Sequence, residues 1–182
     1  MQETEIKLRC PPGAAGELRQ RLASGGFREE RVCRQVDRYY NHPSRDFFRT
    51  DEALRLRTVT GGGAPELTEL TYKNANRTSD GQLREELELA VASGDIMETI
   101  LLRLGFVPAA VVDKRRRSFC RGNVTVCEDE VEGLGSFLEI ECLSQESDAA
   151  APDVVRAVRE ELGLSALAQE DRTYLELLLR RE

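Results

Sequence analysis

The sequence predicts an α+β protein: an antiparallel sheet of eight strands with one ionic face, carrying helices on its apolar face. Three observations lead there. The first is the run Glu3-Thr4-Glu5-Ile6-Lys7-Leu8-Arg9. Alternate strand residues share a face, so two carboxylates, an ammonium and a guanidinium point one way while Ile6 and Leu8 point the other. The second is the return of this pattern in later segments. Arg55 and Arg57 alternate with Leu54 and Leu56, Glu69 and Lys73 with Leu70 and Tyr72, Arg84, Glu86 and Glu88 with Leu87 and Leu89, and Glu139 and Glu141 with Leu138 and Ile140. The third is an internal echo. Glu3-x-Glu5, Glu86-x-Glu88 and Glu139-x-Glu141 each lead to a helical segment and then to Gly26-Phe27, Gly105-Phe106 or Gly163-Leu164.

Taken in order, the first strand covers 2–10 and is ended by Pro11-Pro12-Gly13; a helix over 13–24 follows, since Pro is tolerated at a helix start. A strand at 29–36 precedes Asp37-Arg38-Tyr39-Tyr40. Strands at 53–60 and 66–74 flank Gly61-Gly62-Gly63, which reads as a hairpin tip. That glycine run lacks a following G-K-[ST] and opens no helix, so it is no phosphate loop. A strand at 82–91 leads to a helix at 94–104. The strand at 106–118 splits its basic run, with Lys114 and Arg116 on one face and Arg115 and Arg117 on the other. At 123–130, Thr125, Cys127 and Asp129 oppose Val124 and Val126, which leaves Glu128 outward. A strand at 136–143 and helices at 150–162 and 171–181 complete the chain, the last carrying Leu175, Leu178 and Leu179. No linker divides it, so a single domain over 1–182 is expected.

Composition narrows the function classes. The chain has 182 residues, 40% hydrophobic and 32% charged, with a formal net charge of −7. Its charge content exceeds the roughly 25% of ordinary globular domains, and the acidic total argues against duplex nucleic acid as a partner. Five cysteines with no C-x-x-C spacing read as reduced residues of a cytoplasmic protein. Charges begin at Glu3, which argues against a signal peptide. No apolar run reaches the roughly 18 residues of a membrane helix, so no membrane partner is expected. The reading leaves room for a homodimer.

A closed barrel with helices outside would turn the charged faces inward. Burying them without partners is prohibitive, and the cost falls if they meet metal ions and an anionic ligand. Glu3, Glu5, Glu86, Glu88, Asp129, Glu139 and Glu141 are hard carboxylate ligands suited to Mg²⁺ or Mn²⁺. Lys7, Arg55, Arg57, Lys73, Arg84, Lys114 and Arg116 suit phosphate oxygens. The lone His42 precedes a proline and reads as a turn residue, so no Ser-His-Asp or Cys-His arrangement can be assembled. Tyr39 and Tyr40 read as packing residues before base-stacking ones. Asp37 is a candidate for ordering nearby arginines, and Arg172 reads as a surface ion-pair residue.

The same residues resemble the CYTH, or triphosphate tunnel metalloenzyme, family over essentially the whole chain. The ordered motifs are E-x-E-x-K at Glu3–Lys7, D-x-Y-Y at Asp37–Tyr40, A-L-R-L-R at Ala53–Arg57, L-T-Y-K at Leu70–Lys73 and R-E-E-L-E at Arg84–Glu88. K-x-R at Lys114–Arg116, D-E-V-E-G-L-G at Asp129–Gly135, F-L-E-I-E at Phe137–Glu141 and T-Y-L-E-L-L at Thr173–Leu178 follow. The resemblance implies an eight-stranded antiparallel β-barrel forming a tunnel, in which acidic residues hold one or two divalent metals against a triphosphate. It favours the class IV adenylyl cyclase branch, making cAMP and pyrophosphate from ATP. An inorganic or thiamine triphosphatase is the alternative, and a noncatalytic polyphosphate- or nucleotide-binding module the third reading. Glu3, Glu5, Lys7, Asp129 and Glu139 are the expected catalytic residues. Glu128 departs from the family pattern, where an apolar residue commonly precedes the Asp.

Overall fold

The structure is a computed structural model and describes residues 2–11, 13–75, 86–144 and 150–179. Its strands are β1 (Gln2–Arg9), β2 (Arg28–Asn41), β3 (Ala53–Gly61), β4 (Leu67–Lys73), β5 (Glu86–Val91), β6 (Val107–Arg121), β7 (Val124–Val131) and β8 (Gly135–Ser144). Its helices are α1 (Ala15–Ser24), α2 (Phe47–Thr50), α3 (Gly94–Arg103), α4 (Ala151–Glu161) and α5 (Tyr174–Leu179). The strands form one eight-stranded sheet in the order β1-β8-β7-β6-β2-β3-β4-β5. The chain divides into two compact units, one of residues 1–33 and 114–177, the other of residues 34–113 and 178–182, with the divisions falling inside β2, β6 and α5.

The closed barrel expected from the sequence is not what the described residues form: among them the sheet is open, with β1 and β5 as its end strands. On the β1 side the reason is local. The outer edge of β1 is taken by the segment before α5: Leu8 bridges Gln169, the Arg9 N–H donates to the Ala168 carbonyl, and the Glu170 N–H donates to the Lys7 carbonyl. An exposed strand edge is a liability, and this segment covers it.

In the first unit, the apolar faces of β1, β7 and β8 pack under α1 and α4. Leu8, Leu18, Leu22, Val126, Leu138, Ile140, Val155, Val158 and Leu162 are all buried in one cluster. Val155, Val158 and Leu162 recur at helical spacing, the stripe an amphipathic helix needs to lie on a sheet. Each such side chain contributes about 1.5–3 kcal/mol by leaving water. In the second unit, Tyr40, Phe47, Leu54, Leu56 and Leu101 form the corresponding core beside α3.

Two elements differ from the sequence reading. β2 runs on to Asn41, because it has a strand neighbour on each side and Tyr40 is buried in the second core. The single-turn α2 was not expected. Asp46 caps it by accepting the Phe48 N–H, and the chain leaves it through Asp51 at φ 56°. The expected strand residues 82–85, Arg84 among them, lie outside the described residues. Among the described residues, no helix is long and apolar enough to cross a membrane.

Candidate functional site

In the first unit, strand register sets the charged residues in rows. Glu5 lies opposite Glu141, and Lys7 opposite Glu139, across β1 and β8. Glu139 lies opposite Cys127, and Phe137 opposite Asp129, across β8 and β7. Asp129 lies opposite Arg116 across β7 and β6. Like charges directly opposite one another destabilise a sheet, yet Glu5, Glu139 and Glu141 bring carboxylate oxygens within 4.8 Å of one another. Part of that repulsion is offset from β6: Arg116 Nη2 donates to Glu139, and Nη1 lies 3.3 Å from Glu141 Oε1. The Lys7 ammonium is 3.8 Å from Glu139 Oε1.

Burial would raise the Glu139 pKa, but the Lys114 and Arg116 charges outweigh it and hold the carboxyl below its usual range. Glu139 is therefore ionised at neutral pH and acts only as an acceptor. Three carboxylates, one of them exposed at Glu5, fit a hard divalent cation that takes oxygen ligands and keeps part of its water shell. The donor set contains neither imidazole nor thiolate, which disfavours softer metals.

Asp129, expected from the sequence as a metal ligand, is not one of the trio but shares Arg116 Nη2 with Glu139. It is buried, and its oxygens accept from Lys114 Nζ at 3.0 Å, Arg116 Nε at 2.7 Å, Arg116 Nη2 at 2.6 Å and the Tyr174 hydroxyl at 3.0 Å. Four donors account for roughly its whole acceptor capacity. Burial pushes its pKa up, and Lys114 and Arg116 more than reverse that, so it stays ionised. Arg116 is its counterpart: burial would lower its pKa, while Asp129 and Glu139 hold it well above the ordinary value. Asp129 thus fixes two cations in place.

The second unit has its own ionic group. Asp37 is buried and accepts from Arg57 Nε at 2.6 Å and Nη2 at 2.7 Å, the two-pronged pairing that suits guanidinium and carboxylate. Asp37 therefore does order an arginine. Arg55 is also buried, but its ion pairs are long, 3.8 Å to Asp37 and 3.9 Å to Glu88, and its Nε lacks a hydrogen-bond partner. A buried N–H of that kind is costly unless an acceptor reaches it. Glu86, a second expected ligand, bonds instead to Lys73, which faces it across β4 and β5. Glu88 is the partner of Arg55.

The parity readings hold. Lys114 and Arg116 turn toward Asp129, whereas Arg117 bonds to Glu29 at 2.6 Å. Glu128 points away from Asp129 and pairs with Arg19 of α1 at 2.8 Å. His42 packs between Phe47 and Phe106 and accepts the Ser44 N–H, as a turn residue would. Tyr40 packs in the core and donates to Glu98 at 2.8 Å. Glu3 lies on β1, and its side chain is outside the described residues. Sequence reasoning missed Tyr174 and Glu170. Glu170 is buried and joins Arg9 and Arg172, at 2.6 Å to each. Tyr174 stands inside the T-Y-L-E-L-L motif, the one available signal.

Residues 1–174 match the family model of the CYTH domain. A protein of Methanocaldococcus jannaschii, provisionally named an adenylate cyclase, is 33% identical over 141 residues, 78% of this chain and 77% of its own. The solved structure of the PH1819 protein of Pyrococcus horikoshii superposes with a TM-score of 0.84 at 36% identity, covering 99% of both chains. A Hippeastrum protein, provisionally called an adenylyl cyclase and described as having a dominant triphosphatase activity, shares the fold. Its TM-score is 0.71 at 20% identity, over 99% of this chain and 96% of that one.

Proposed function

The chain belongs to the CYTH family, and from that premise we propose that it is a divalent-metal-dependent enzyme acting on a triphosphate, with ATP as substrate and cAMP and pyrophosphate as products. The observation that carries the reading is the Glu5, Glu139 and Glu141 trio beside Lys7, Lys114 and Arg116. Carboxylates that gather a hard cation, next to cations that take phosphate oxygens, are the parts phosphoryl chemistry requires. Mg²⁺ or Mn²⁺ held by the trio would neutralise phosphate charge and acidify the attacking hydroxyl.

The chain's own residues do the rest. Lys7 and Lys114 supply ammoniums as point charges, and Arg116 supplies a planar fork. Asp129 keeps Lys114 and Arg116 extended toward the trio and stays ionised while doing so. Arg116 bonds Glu139 and Glu141, the same carboxylates that would hold the cation, so with a cation there its guanidinium would be left for phosphate. In the second unit, Arg55 offers its unpartnered N–H to an anion, and Arg57 is ordered by Asp37. Glu3, Lys73, Arg84, Glu86 and Glu88 remain proposed site residues of the same chemistry. The tunnel implied by the resemblance also belongs to this proposal rather than to the observed sheet.

Hydrolysis of the triphosphate is the second reading, favoured by the activity described for the Hippeastrum protein of the same fold. One assay separates the two: the protein is incubated with ATP, tripolyphosphate or thiamine triphosphate and Mg²⁺ or Mn²⁺, and cAMP is resolved from phosphate. cAMP formation supports the cyclase, and phosphate release from all three supports the hydrolase. No turnover of any of them, with no binding of tripolyphosphate, refutes both.

A further inference from the structure

Tyr174 is the first residue of α5 and is buried. The Lys7 ammonium lies 4.7 Å from its ring centroid and the Lys114 ammonium 5.0 Å. Both distances fall within the roughly 6 Å at which a cation is attracted to an aromatic face. Its hydroxyl donates to Asp129 Oδ2, and the Phe137 ring meets it at 5.0 Å in an edge contact. The ring is therefore held on two sides and touches two ammoniums that carry like charge.

The chain just before it grips the same lysine. The Glu170 N–H donates to the Lys7 carbonyl, and Lys7 Nζ donates to the Arg172 carbonyl at 3.1 Å. Both lysines are buried, at 8% and 4% exposure. A lysine stem has four flexible carbons, and holding two of them side by side costs conformational freedom and opposes two positive charges. An aromatic face offsets that cost without consuming hydrogen-bond donors, so the N–H groups beyond those given to the Arg172 carbonyl and to Asp129 are left for phosphate. Burial, together with the Asp129 and Glu139 charges, raises the Tyr174 pKa, so the hydroxyl stays a donor at any working pH.

We propose that Tyr174 is a positioning residue whose ring holds the Lys7 and Lys114 ammoniums in place for a triphosphate, so that the C-terminal segment is part of the binding apparatus. This rests on the proposed role of those lysines in triphosphate binding. The ring supplies the effect, and the hydroxyl mainly sets the ring's orientation. Tyr174→Phe keeps the ring and removes the bond to Asp129; Tyr174→Leu removes both.

The test uses the full chain and two readouts. Titration with tripolyphosphate should show affinity about tenfold weaker in Tyr174→Leu and within about twofold of wild type in Tyr174→Phe. Mn²⁺ affinity at the trio should be the same in all three proteins. A merely structural role would weaken both ligands together. In the second readout, the ring shifts the Lys7 and Lys114 ε-methylene proton signals upfield in the wild type and in Tyr174→Phe, and not in Tyr174→Leu. If Tyr174→Leu does not fold, Tyr174→Met, a longer apolar side chain without a ring, takes its place in both readouts. The proposal is overturned if the ring-less variant binds tripolyphosphate like the wild type, if Tyr174→Phe loses as much affinity as that variant, or if the wild type shows no upfield shift at either lysine. A wild type that fails to bind tripolyphosphate refutes the functional reading instead, and the proton shifts still decide whether the ring holds the lysines.

Discussion

Replacing Arg116 by alanine should cost stability and make that stability depend on divalent metal. In the intact site, Glu5, Asp129, Glu139 and Glu141 are faced by Lys7, Lys114 and Arg116, four carboxylates against three cations. Arg116 alone reaches three of the four. It gives Asp129 two short charge-assisted bonds, bonds to Glu139 and lies 3.3 Å from Glu141. Its side chain is 11% exposed, and those of Asp129 and Glu139 are 0% and 7% exposed. Removing one partner of a buried network of this kind costs about 3–5 kcal/mol, because the charges left behind stay buried. For a chain of this size each kcal/mol moves the melting temperature by about 2–4 °C, so Tm should fall by about 6–20 °C. A cation that binds the folded state at a hundred times its dissociation constant returns about 2.7 kcal/mol. Mn²⁺ should therefore raise the Tm of Arg116→Ala more than that of the wild type, where Arg116 competes for the same oxygens. Thermal melts with and without Mn²⁺, together with Mn²⁺ titration, give both quantities. A loss below about 2 °C, or a larger Mn²⁺ shift in the wild type than in the variant, would show that Arg116 is not the competing cation.

Glu5→Gln removes one of two directly opposed carboxylates; it should abolish Mn²⁺ binding while changing stability by no more than about 0.5 kcal/mol, as a titration and a denaturant melt would report. Asp37→Ala leaves Arg57 without its two-pronged partner and should destabilise the second unit by about 3–5 kcal/mol; denaturant unfolding measures it, and a near-neutral result would mean that the pair is not buried in solution. Glu170 is governed mainly by its hydrogen bond from Arg172, joined by Arg9, which holds its pKa at about 2 against an ordinary 4.5. A depressed carboxyl pKa contributes stability that is present above the unfolded value and is lost as pH falls through the folded one. The protection of the Arg9 and Glu170 amides against hydrogen exchange, relative to the intrinsic rate at each pH, should thus fall between about pH 4.5 and 2, since these amides bond the terminal segment to β1. Glu170→Gln should remove that pH dependence; the same loss of protection in the variant would assign it to another group.

What this chain determined by itself was which face each side chain occupies, because strand residues alternate with a period of two. Lys114 and Arg116 could be separated from Arg115 and Arg117, and Glu128 from Asp129, on that ground alone, and the structure places them so. The apolar faces were legible for the same reason, as was the helical stripe of Val155, Val158 and Leu162. Register was not legible. Glu5 meets Glu141 across β1 and β8, strands at opposite ends of the chain, and alternation says nothing about which residue faces which. A slip of two residues would keep every face and dissolve the trio. For the same reason Asp129 read as a ligand like any other inward carboxylate. Only the folded chain shows Lys114, Arg116 and Tyr174 taking up its oxygens. The open sheet, too, was decided in three dimensions, where a segment near the C-terminus covers the β1 edge and brings Tyr174 against Lys7. Local periodicity is a property of adjacent residues; which distant strands and segments pair depends on packing and hydrogen bonding that only the whole fold can satisfy.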